Sequence, residues 1–347
     1  MLDLDSLLGA AAEQGVSDIL LAVEVPPVHR IGGELVRYDD APLSVADCEG
    51  ALRHLATPAQ LEHLEHWGEV DFSYSLRGVG RFRVAAFRQR GSISLAIRPI
   101  SSTIPDVAAL NAPDGVGALA LRESGLVLVA GRTGSGKSTT VAAMVDCINR
   151  ERAAHVITLE DPVEYLHRHR RSIINQREIG VDSMDFPRAL RAALRQNPDV
   201  IVVGDLHDAD TAQTALAAAG TGQLVIAVVR QPDSASALEY IVGLFRSEQQ
   251  AQISWQLASV LEGAVAQVLL ARTGGGRIAV FEVLIGTPAV RTLVRDGKRA
   301  QVTALLRAGA RHGMRSLDQS WRELVERGLV EDTDIPPFST VNVGVGG

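Results

Sequence analysis

The sequence is poor in several residue types, and each shortage excludes a class of protein. It has two cysteines, Cys48 and Cys147, too few for a four-thiolate zinc site or a disulfide scaffold, so buried structural thiols are expected. Aromatic residues make up 4% of the chain, which disfavours a stacking platform for single-stranded nucleic acid. The formal net charge of -7 argues against a protein that coats nucleic acid, so no direct nucleic-acid partner is expected.

Long hydrophobic runs are missing as well. No apolar stretch reaches the ~18 residues that span a bilayer, and the N-terminus carries acidic residues where a signal peptide needs positive charge. These features predict a cytoplasmic protein. The chain has 347 residues, 46% of them hydrophobic and 22% charged, which favours a globular protein of two domains.

Lysine is the scarcest basic residue. Of 34 basic residues 32 are arginine, and the two lysines are Lys137 and Lys298. In such a background a lysine suggests a chemical requirement, because the planar arginine fork cannot replace a compact ammonium everywhere.

The first part of the chain predicts a small α+β domain. Residues 1–100 combine short amphipathic helices with alternating stretches typical of a mostly antiparallel sheet. A Gly-Gly turn at residues 32–33 separates two of the predicted strands. Residues 101–115 contain two prolines and several small polar residues, the composition of a linker.

The second part, residues 116–347, predicts an α/β domain. Short, fully apolar strands alternate with helices, which indicates a parallel sheet covered on both faces. From about residue 250 we expect mainly helix, and residues 335–347 are predicted to form a loose tail.

A phosphate-binding loop is the clearest motif. Residues 131–138 read Gly-Arg-Thr-Gly-Ser-Gly-Lys-Ser and lie between a predicted strand and a predicted helix, the context that supports a P-loop. Lys137 is expected to reach the β and γ oxygens of a nucleotide, and the Ser138 hydroxyl to bind Mg²⁺. An ordinary glycine-rich turn is the alternative, but it does not explain Gly-Lys-Ser in a chain with two lysines. The candidate nucleotide-binding residues are Gly131, Thr133, Gly134, Ser135, Gly136, Lys137, Ser138 and Thr139.

Acidic residues follow the next strands. Glu160 and Glu164 come at and after the end of a predicted strand, where open α/β sheets bind ligands, and either is a candidate to order the metal or the attacking water. Ser138 and Glu160 are the candidate metal ligands. Asp205 follows an apolar strand in the layout of a Walker B segment. The alternatives are solvated acids and, for Asp205, a helix cap, although Asp208 is also a candidate cap.

Several further stretches carry a resemblance, in this order along the chain: Gln14–Asp18, Pro26–Arg30, Gly80–Val84, the P-loop, Leu159–Tyr165, Ile174–Gly180, Ala189–Asp199 and Pro288–Arg295. Together they resemble the type IV pilus retraction ATPases, within the type II/IV secretion ATPases, over about residues 3–332. The resemblance implies a PAS-like N-terminal domain, a RecA-like ATPase domain, ATP and Mg²⁺ as cofactors, and a homo-hexameric ring. It also implies an inner-membrane pilus platform protein as partner, with peripheral association at that membrane, and possible co-assembly with a paralogous ATPase.

In this family the nucleotide sits between the two domains, and N-terminal arginines reach its phosphates. The matching residues are Arg83 and Arg98, with Arg81 as a further candidate. The resemblance therefore implies an arginine-finger arrangement. On the residues alone, plain strand-face charge in an arginine-rich chain is the better interpretation.

The chain departs from the family pattern at three positions. Asp205 stands where the family has a catalytic glutamate, and Gln223 and Arg230 stand where it has two histidines. A carboxylate one methylene shorter matters, because a ~1 Å misplacement can cost about 100-fold in rate. Gln223 can hydrogen-bond a phosphate, and Arg230 can contact a γ-phosphate.

These departures leave alternatives open. The chain is either a working retraction motor or a degenerate paralogue that binds ATP and serves as an accessory ring subunit. A third hypothesis, an assembly or secretion ATPase, is disfavoured because such relatives usually have a tetracysteine zinc element and extra N-terminal domains.

The cluster His167–Arg171 is interpreted as a solvated basic loop, and the three tryptophans as packing residues.

Overall fold

The computed structural model describes residues 2–101 and 103–332. The chain divides into two compact units. The first unit comprises Met1–Thr103 and Glu164–Leu166, and the second comprises Ile104–Val163 and His167–Gly347. The tail predicted at residues 335–347 lies outside the described residues.

The first unit is built around one sheet. Its elements are α1 Leu4–Glu13, β1 Asp18–Leu21, β2 Val28–Ile31, β3 Glu34–Arg37, α2 Val45–Leu55, α3 Pro58–Trp67, β4 Glu69–Leu76, β5 Gly80–Gln89 and β6 Ser92–Ile100. The strand order is β3-β2-β1-β6-β5-β4, and neighbouring strands are antiparallel. This matches the predicted α+β domain with an antiparallel sheet.

Local sequence explains this sheet. Gly32 and Gly33 both have positive φ, 60° and 95°, which a two-residue hairpin turn requires and glycine adopts without strain. On the strands, alternate residues such as Phe82, Val84 and Ile97 are fully buried against the helices, while the intervening residues face outward.

The second unit contains the parallel sheet. Its elements are α4 Asp114–Ala120, β7 Gly125–Ala130, α5 Lys137–Glu151, β8 His155–Glu160, β9 Ile173–Glu178, α6 Phe186–Leu194, β10 Val200–Val203, α7 Ala209–Gly220, β11 Leu224–Val229, α8 Ser234–Gly243, α9 Ser247–Val260, β12 Leu261–Ala271, β13 Arg277–Ile285, α10 Pro288–Arg295, α11 Arg299–Ala308 and α12 Leu317–Glu326. The strand order is β13-β12-β7-β11-β10-β8-β9, with β13 antiparallel to its neighbour and the other pairs parallel.

The sheet of the second unit is buried on both faces. Along β7, Leu126 and Leu128 pack into the core shared with α6 to α9, whereas Val127 and Val129 pack into the core shared with α4 and α5. Because both faces are covered, the strands are continuously apolar rather than alternating. This is the predicted α/β architecture.

The prediction of mainly helix after residue 250 is wrong for residues 261–285. They form β12 and β13, a long antiparallel hairpin whose first strand lies beside β7. The sequence misleads here because β12 contains three alanines and three leucines, which favour a helix. Tertiary contact with β7, and not local propensity, decides the structure.

The predicted linker is partly incorporated into the second unit. Val107, Leu110 and Ala112 pack against the core under α4 and α5. The Asp106 carboxylate accepts a 2.8 Å hydrogen bond from Arg150 on α5, so this stretch is anchored to the unit it precedes.

Two of the three tryptophans are not packing residues, contrary to the prediction. Trp67 is 68% exposed and Trp255 is 61% exposed, whereas Trp321 is 4% exposed and packs as expected.

Both cysteines are free thiols, and burial raises the pKa of Cys48 and of Cys147, consistent with unreactive structural roles. Within residues 2–101 and 103–332, the helices are all too short or too polar to cross a bilayer.

Candidate functional site

The loop between β7 and α5 requires glycine. Gly131, Gly134 and Gly136 have φ of 154°, 79° and 88°. A side chain at Gly131 would also collide with Ser135 and lie 2.8 Å from the backbone oxygen of Gln267. The backbone therefore follows a path open only to glycine at these points, as the predicted phosphate-binding loop requires.

Lys137 and the start of α5 complete the loop. The Lys137 ammonium donates hydrogen bonds of 2.8 Å to the Gly131 carbonyl and 2.9 Å to the Arg132 carbonyl, so it lies over the loop. Helix α5 begins at Lys137 after Gly136, and none of the described side chains caps it. Its first amides and its positive end therefore face the loop, where they favour an anion.

Gln267 on β12 supports the loop and was missed in the sequence. Its side chain is fully buried, and Nε2 donates a 2.7 Å hydrogen bond to the Ser135 carbonyl. Its Nε2 would lie 3.0 Å from a Cβ placed at Gly136, so it packs directly beneath the glycines. The signal was a single amide within the otherwise apolar residues 263–271.

Two of the predicted acidic residues, Glu160 and Asp205, lie at the same edge of the sheet as the loop. Strands β7, β11, β10 and β8 are parallel neighbours, so their carboxyl ends meet at one edge. Glu160 is the last residue of β8. Its Oε1 accepts hydrogen bonds of 2.6 Å from the Thr158 hydroxyl and 3.2 Å from Gln176 Nε2.

Asp205 follows β10 and is mostly buried, with 17% of its side chain exposed. Its Oδ2 lies 2.7 Å from Arg230 Nη2 and 3.4 Å from His207 Nδ1. Asp205 is not the helix cap, because Asp208 caps α7 by accepting a 2.8 Å hydrogen bond from the Thr211 amide. The structure thus separates the two aspartates that the sequence left as alternative caps.

Gln223 lies at the opposite edge of the sheet, which corrects the expectation that it hydrogen-bonds a phosphate of this loop. It precedes β11, and its carbonyl accepts from the Gly125 amide at the start of β7. Strand β11 has six residues at ~3.3 Å each, so Gln223 is about 20 Å from the phosphate edge of its own sheet.

The arginines named by the resemblance lie side by side in the first unit. Arg83 on β5 and Arg98 on β6 are register partners. Strand β1 pairs with the other side of β6, and there Asp18 and Arg98 lie one position beyond the Ile19–Ile97 pair. Arg98 Nη2 donates to Asp18 Oδ1 at 2.7 Å, and Arg83 lies 3.7 Å from Asp71. Adjacent like charges repel, and these carboxylates offset that repulsion.

The neighbouring arginines lower the pKa of Asp18. Burial acts to raise the pKa, but hydrogen bonds from Arg98 and Ser17 and the charges of Arg98 and Arg30 lower it below the ordinary value.

Glu164, another predicted catalytic residue, is exposed and lies in the segment Glu164–Leu166 of the first unit.

The cluster His167–Arg171 is a structured loop, not a fully solvated one. Buried Asn149 of α5 donates to the Arg168 carbonyl at 2.7 Å and accepts from the Arg170 amide at 3.0 Å. His167 is largely enclosed, and burial lowers its pKa from 6.5 to about 4, against the opposing charge of Asp146. The histidine is therefore neutral at pH 7.

We expect this buried histidine to make the second unit sensitive to mild acid. Between pH 6.5 and about 4 the unfolded chain binds a proton at His167 that the folded chain does not, so stability is lost as pH falls. The loss between pH 7 and pH 5 is about 2 kcal/mol. Urea unfolding at both values should show a smaller loss for His167→Leu, and an unchanged loss for His312→Leu at an exposed position. Equal acid sensitivity in wild type and His167→Leu would contradict this account.

A glycine-rich loop between a buried parallel strand and a helix, with carboxylates at the ends of neighbouring strands, defines a P-loop ATPase of RecA-like fold. A family profile described as "Type II/IV secretion system protein" matches residues 109–275. The chain is 38% identical over 333 residues to the type IV pilus retraction ATPase PilT of Pseudomonas aeruginosa, covering 95% of this chain and 96% of that protein.

Two further comparisons agree. The type IV pilus ATPase PilU of Pseudomonas aeruginosa is 35% identical over 334 residues, covering 96% of this chain and 87% of that protein. A crystal structure of the pilus retraction motor PilT with bound ADP superposes with a TM-score of 0.89 at 40% identity, covering 96% of both chains. The chain belongs to the type IV pilus retraction ATPase family.

Proposed function

We propose that this chain is an ATP-hydrolysing motor that drives type IV pilus retraction as a homo-hexameric ring. The observation that carries the proposal is the complete P-loop, with Lys137 on the loop and carboxylates along the same sheet edge, in a chain that covers 96% of PilT. Loop amides, a lysine ammonium and nearby carboxylates are the groups that a phosphoryl-transfer site needs.

Each site residue has a role in this proposal. The loop amides and Lys137 hold the β- and γ-phosphates, and the Ser138 hydroxyl and the Glu160 carboxylate are oxygen ligands of the kind that Mg²⁺ prefers. The described residues hold no group of three acidic, histidine or cysteine side chains able to bind a metal, which fits an ion bound mainly through phosphates and water. When bound, the ion neutralises developing phosphate charge.

Asp205 is the residue we assign to orient the attacking water. It follows β10, two strands from the loop, and is the acid at the Walker B position. Glu164 is retained as a second acidic candidate in the first unit. Arg83 and Arg98, register partners on β5 and β6, are assigned to neutralise phosphate charge on the strength of the family resemblance.

A second candidate function is a degenerate subunit that binds ATP but hydrolyses it poorly. One observation favours it: the Asp205 carboxylate is already ion-paired with Arg230. Such a chain would assemble with a true motor, as a paralogue of the retraction ATPases. For either function we propose a cytoplasmic ring that docks on an inner-membrane platform protein of the pilus machinery.

Deleting the gene in its host tests the direction of action. Loss of a retraction motor leaves pili that extend but do not withdraw, so surface pili should accumulate while motility is lost. A chromosomal Lys137→Ala allele should reproduce the deletion. Loss of surface pili would indicate an extension motor, and an unchanged pilus number would indicate the accessory subunit; either result contradicts the proposal.

A further inference from the structure

The ion pair between Asp205 and Arg230 unites two of the three departures from the family pattern. The two residues are 25 positions apart, yet Arg230 Nη2 lies 2.7 Å from Asp205 Oδ2. The Asp205 side chain is 17% exposed, whereas that of Arg230 is 65% exposed. The carboxylate is thus largely enclosed, while most of the arginine side chain is exposed to solvent.

Strand register places Arg230 between the loop and Asp205. Val229 pairs with Ala130, the residue just before Gly131, so Arg230 emerges beside the start of the loop. Asp205 follows β10, on the other side of β11 from the loop, and the Leu206 amide donates to the Val228 carbonyl, which keeps this segment against β11. Adjacent strands are ~4.8 Å apart. An arginine that follows β11 is therefore long enough to reach either Asp205 after β10 or the phosphate loop after β7.

We propose that Arg230 senses the terminal phosphate of ATP by exchanging partners with it. This inference rests on the proposed ATPase function. Without a γ-phosphate, Arg230 neutralises Asp205 and holds its carboxylate away from water. A γ-phosphate offers a more highly charged, bidentate acceptor, to which the guanidinium transfers. Asp205 then loses its cation and can accept a hydrogen bond from the attacking water.

ADP has no γ-phosphate and therefore leaves the ion pair intact. Whether ATP or ADP is bound thus decides whether the Asp205 carboxylate can accept a hydrogen bond from the attacking water. It also explains how an aspartate and an arginine serve together where the family uses a glutamate and a histidine. Arg230 contacts the phosphate, and it acts on the water only through Asp205.

Equilibrium binding of fluorescent ADP and AMP-PNP, with Mg²⁺, tests the exchange without requiring turnover. Arg230→Gln should weaken AMP-PNP binding by about 10-fold and leave ADP binding unchanged, because only the triphosphate contacts the guanidinium. Asp205→Asn should strengthen AMP-PNP binding severalfold, because it removes the competing partner. In the Arg230→Gln background, Asp205→Asn should have no further effect on either nucleotide. Arg246→Gln, at an exposed arginine after α8, is the matched control.

The outcomes separate this inference from the ATPase function. Equal effects of Arg230→Gln on ADP and AMP-PNP, or additive effects of the two substitutions, would overturn the exchange even if the protein hydrolyses ATP. If the two substitutions show the predicted non-additive effect on AMP-PNP binding but the protein does not hydrolyse ATP, the exchange is supported and the motor function is overturned. A wild-type protein that binds neither nucleotide would overturn both.

Discussion

Replacing Lys137 with alanine is expected to lower ATP turnover by at least about 100-fold. The ammonium is the one compact cation on the phosphate loop, and in the present structure it lies over the carbonyls of Gly131 and Arg132. Removing a preorganised charge that stabilises the transition state costs about 10²–10³ in rate. Nucleotide affinity should fall as well, because the β- and γ-phosphates lose the same contact.

Lys298 supplies the matched control. It is the other lysine of the chain, it is half-exposed, and its ammonium pairs with Asp296 at 3.3 Å at the start of α11. Lys298→Ala should therefore leave turnover within about twofold of wild type, since exposed ion pairs contribute little. Comparable loss of turnover in both variants would mean that the loop lysine has no special role.

Replacing Asp205 with asparagine is expected to lower turnover by about 100-fold without weakening ADP binding. The amide is nearly the same size, so the surrounding packing is kept, but it cannot accept the water proton or polarise the water as a carboxylate does. ADP affinity should persist because Asp205 lies two strands from the loop that holds the phosphates. Phosphate release and ADP binding, measured on one preparation, check both parts.

Asp208 provides the control for this substitution. Asp208→Asn removes the same charge three residues away but keeps the cap of α7, since asparagine and aspartate cap helices about equally well. Turnover should stay close to wild type. If Asp208→Asn were as damaging as Asp205→Asn, local charge rather than a specific carboxylate would govern the rate, and Glu160 would become the acid to test.

Most of the fold was predictable because local and tertiary preferences agree. The Gly32-Gly33 turn and the alternating strands of the first unit satisfy backbone sterics and burial together. The same holds for the apolar strand, glycine loop and helix around residues 125–151. Where they disagree, as in the hairpin of residues 261–285, the sequence misled, because pairing with β7 overrides the helix-favouring alanines and leucines of β12.

The candidate site was predictable in its motifs but not in its pairings. Lys137, Asp205 and Glu160 stand next to recognisable strands, so their edge of the sheet follows from connectivity. The contact between Asp205 and Arg230, and that between Gln267 and the loop, join residues distant in sequence. Only strand order and register bring them together, and register also places Gln223 at the far edge.

The central claim is that this chain hydrolyses ATP although its Walker B acid is an aspartate paired with an arginine. Steady-state phosphate release by the purified oligomer, with Mg²⁺ and saturating ATP, tests it most directly. We predict a wild-type rate well above the common background of Lys137→Ala and Asp205→Asn. A wild-type protein that binds ATP yet releases phosphate no faster than these two variants would contradict the motor and leave a nucleotide-binding partner of another ATPase.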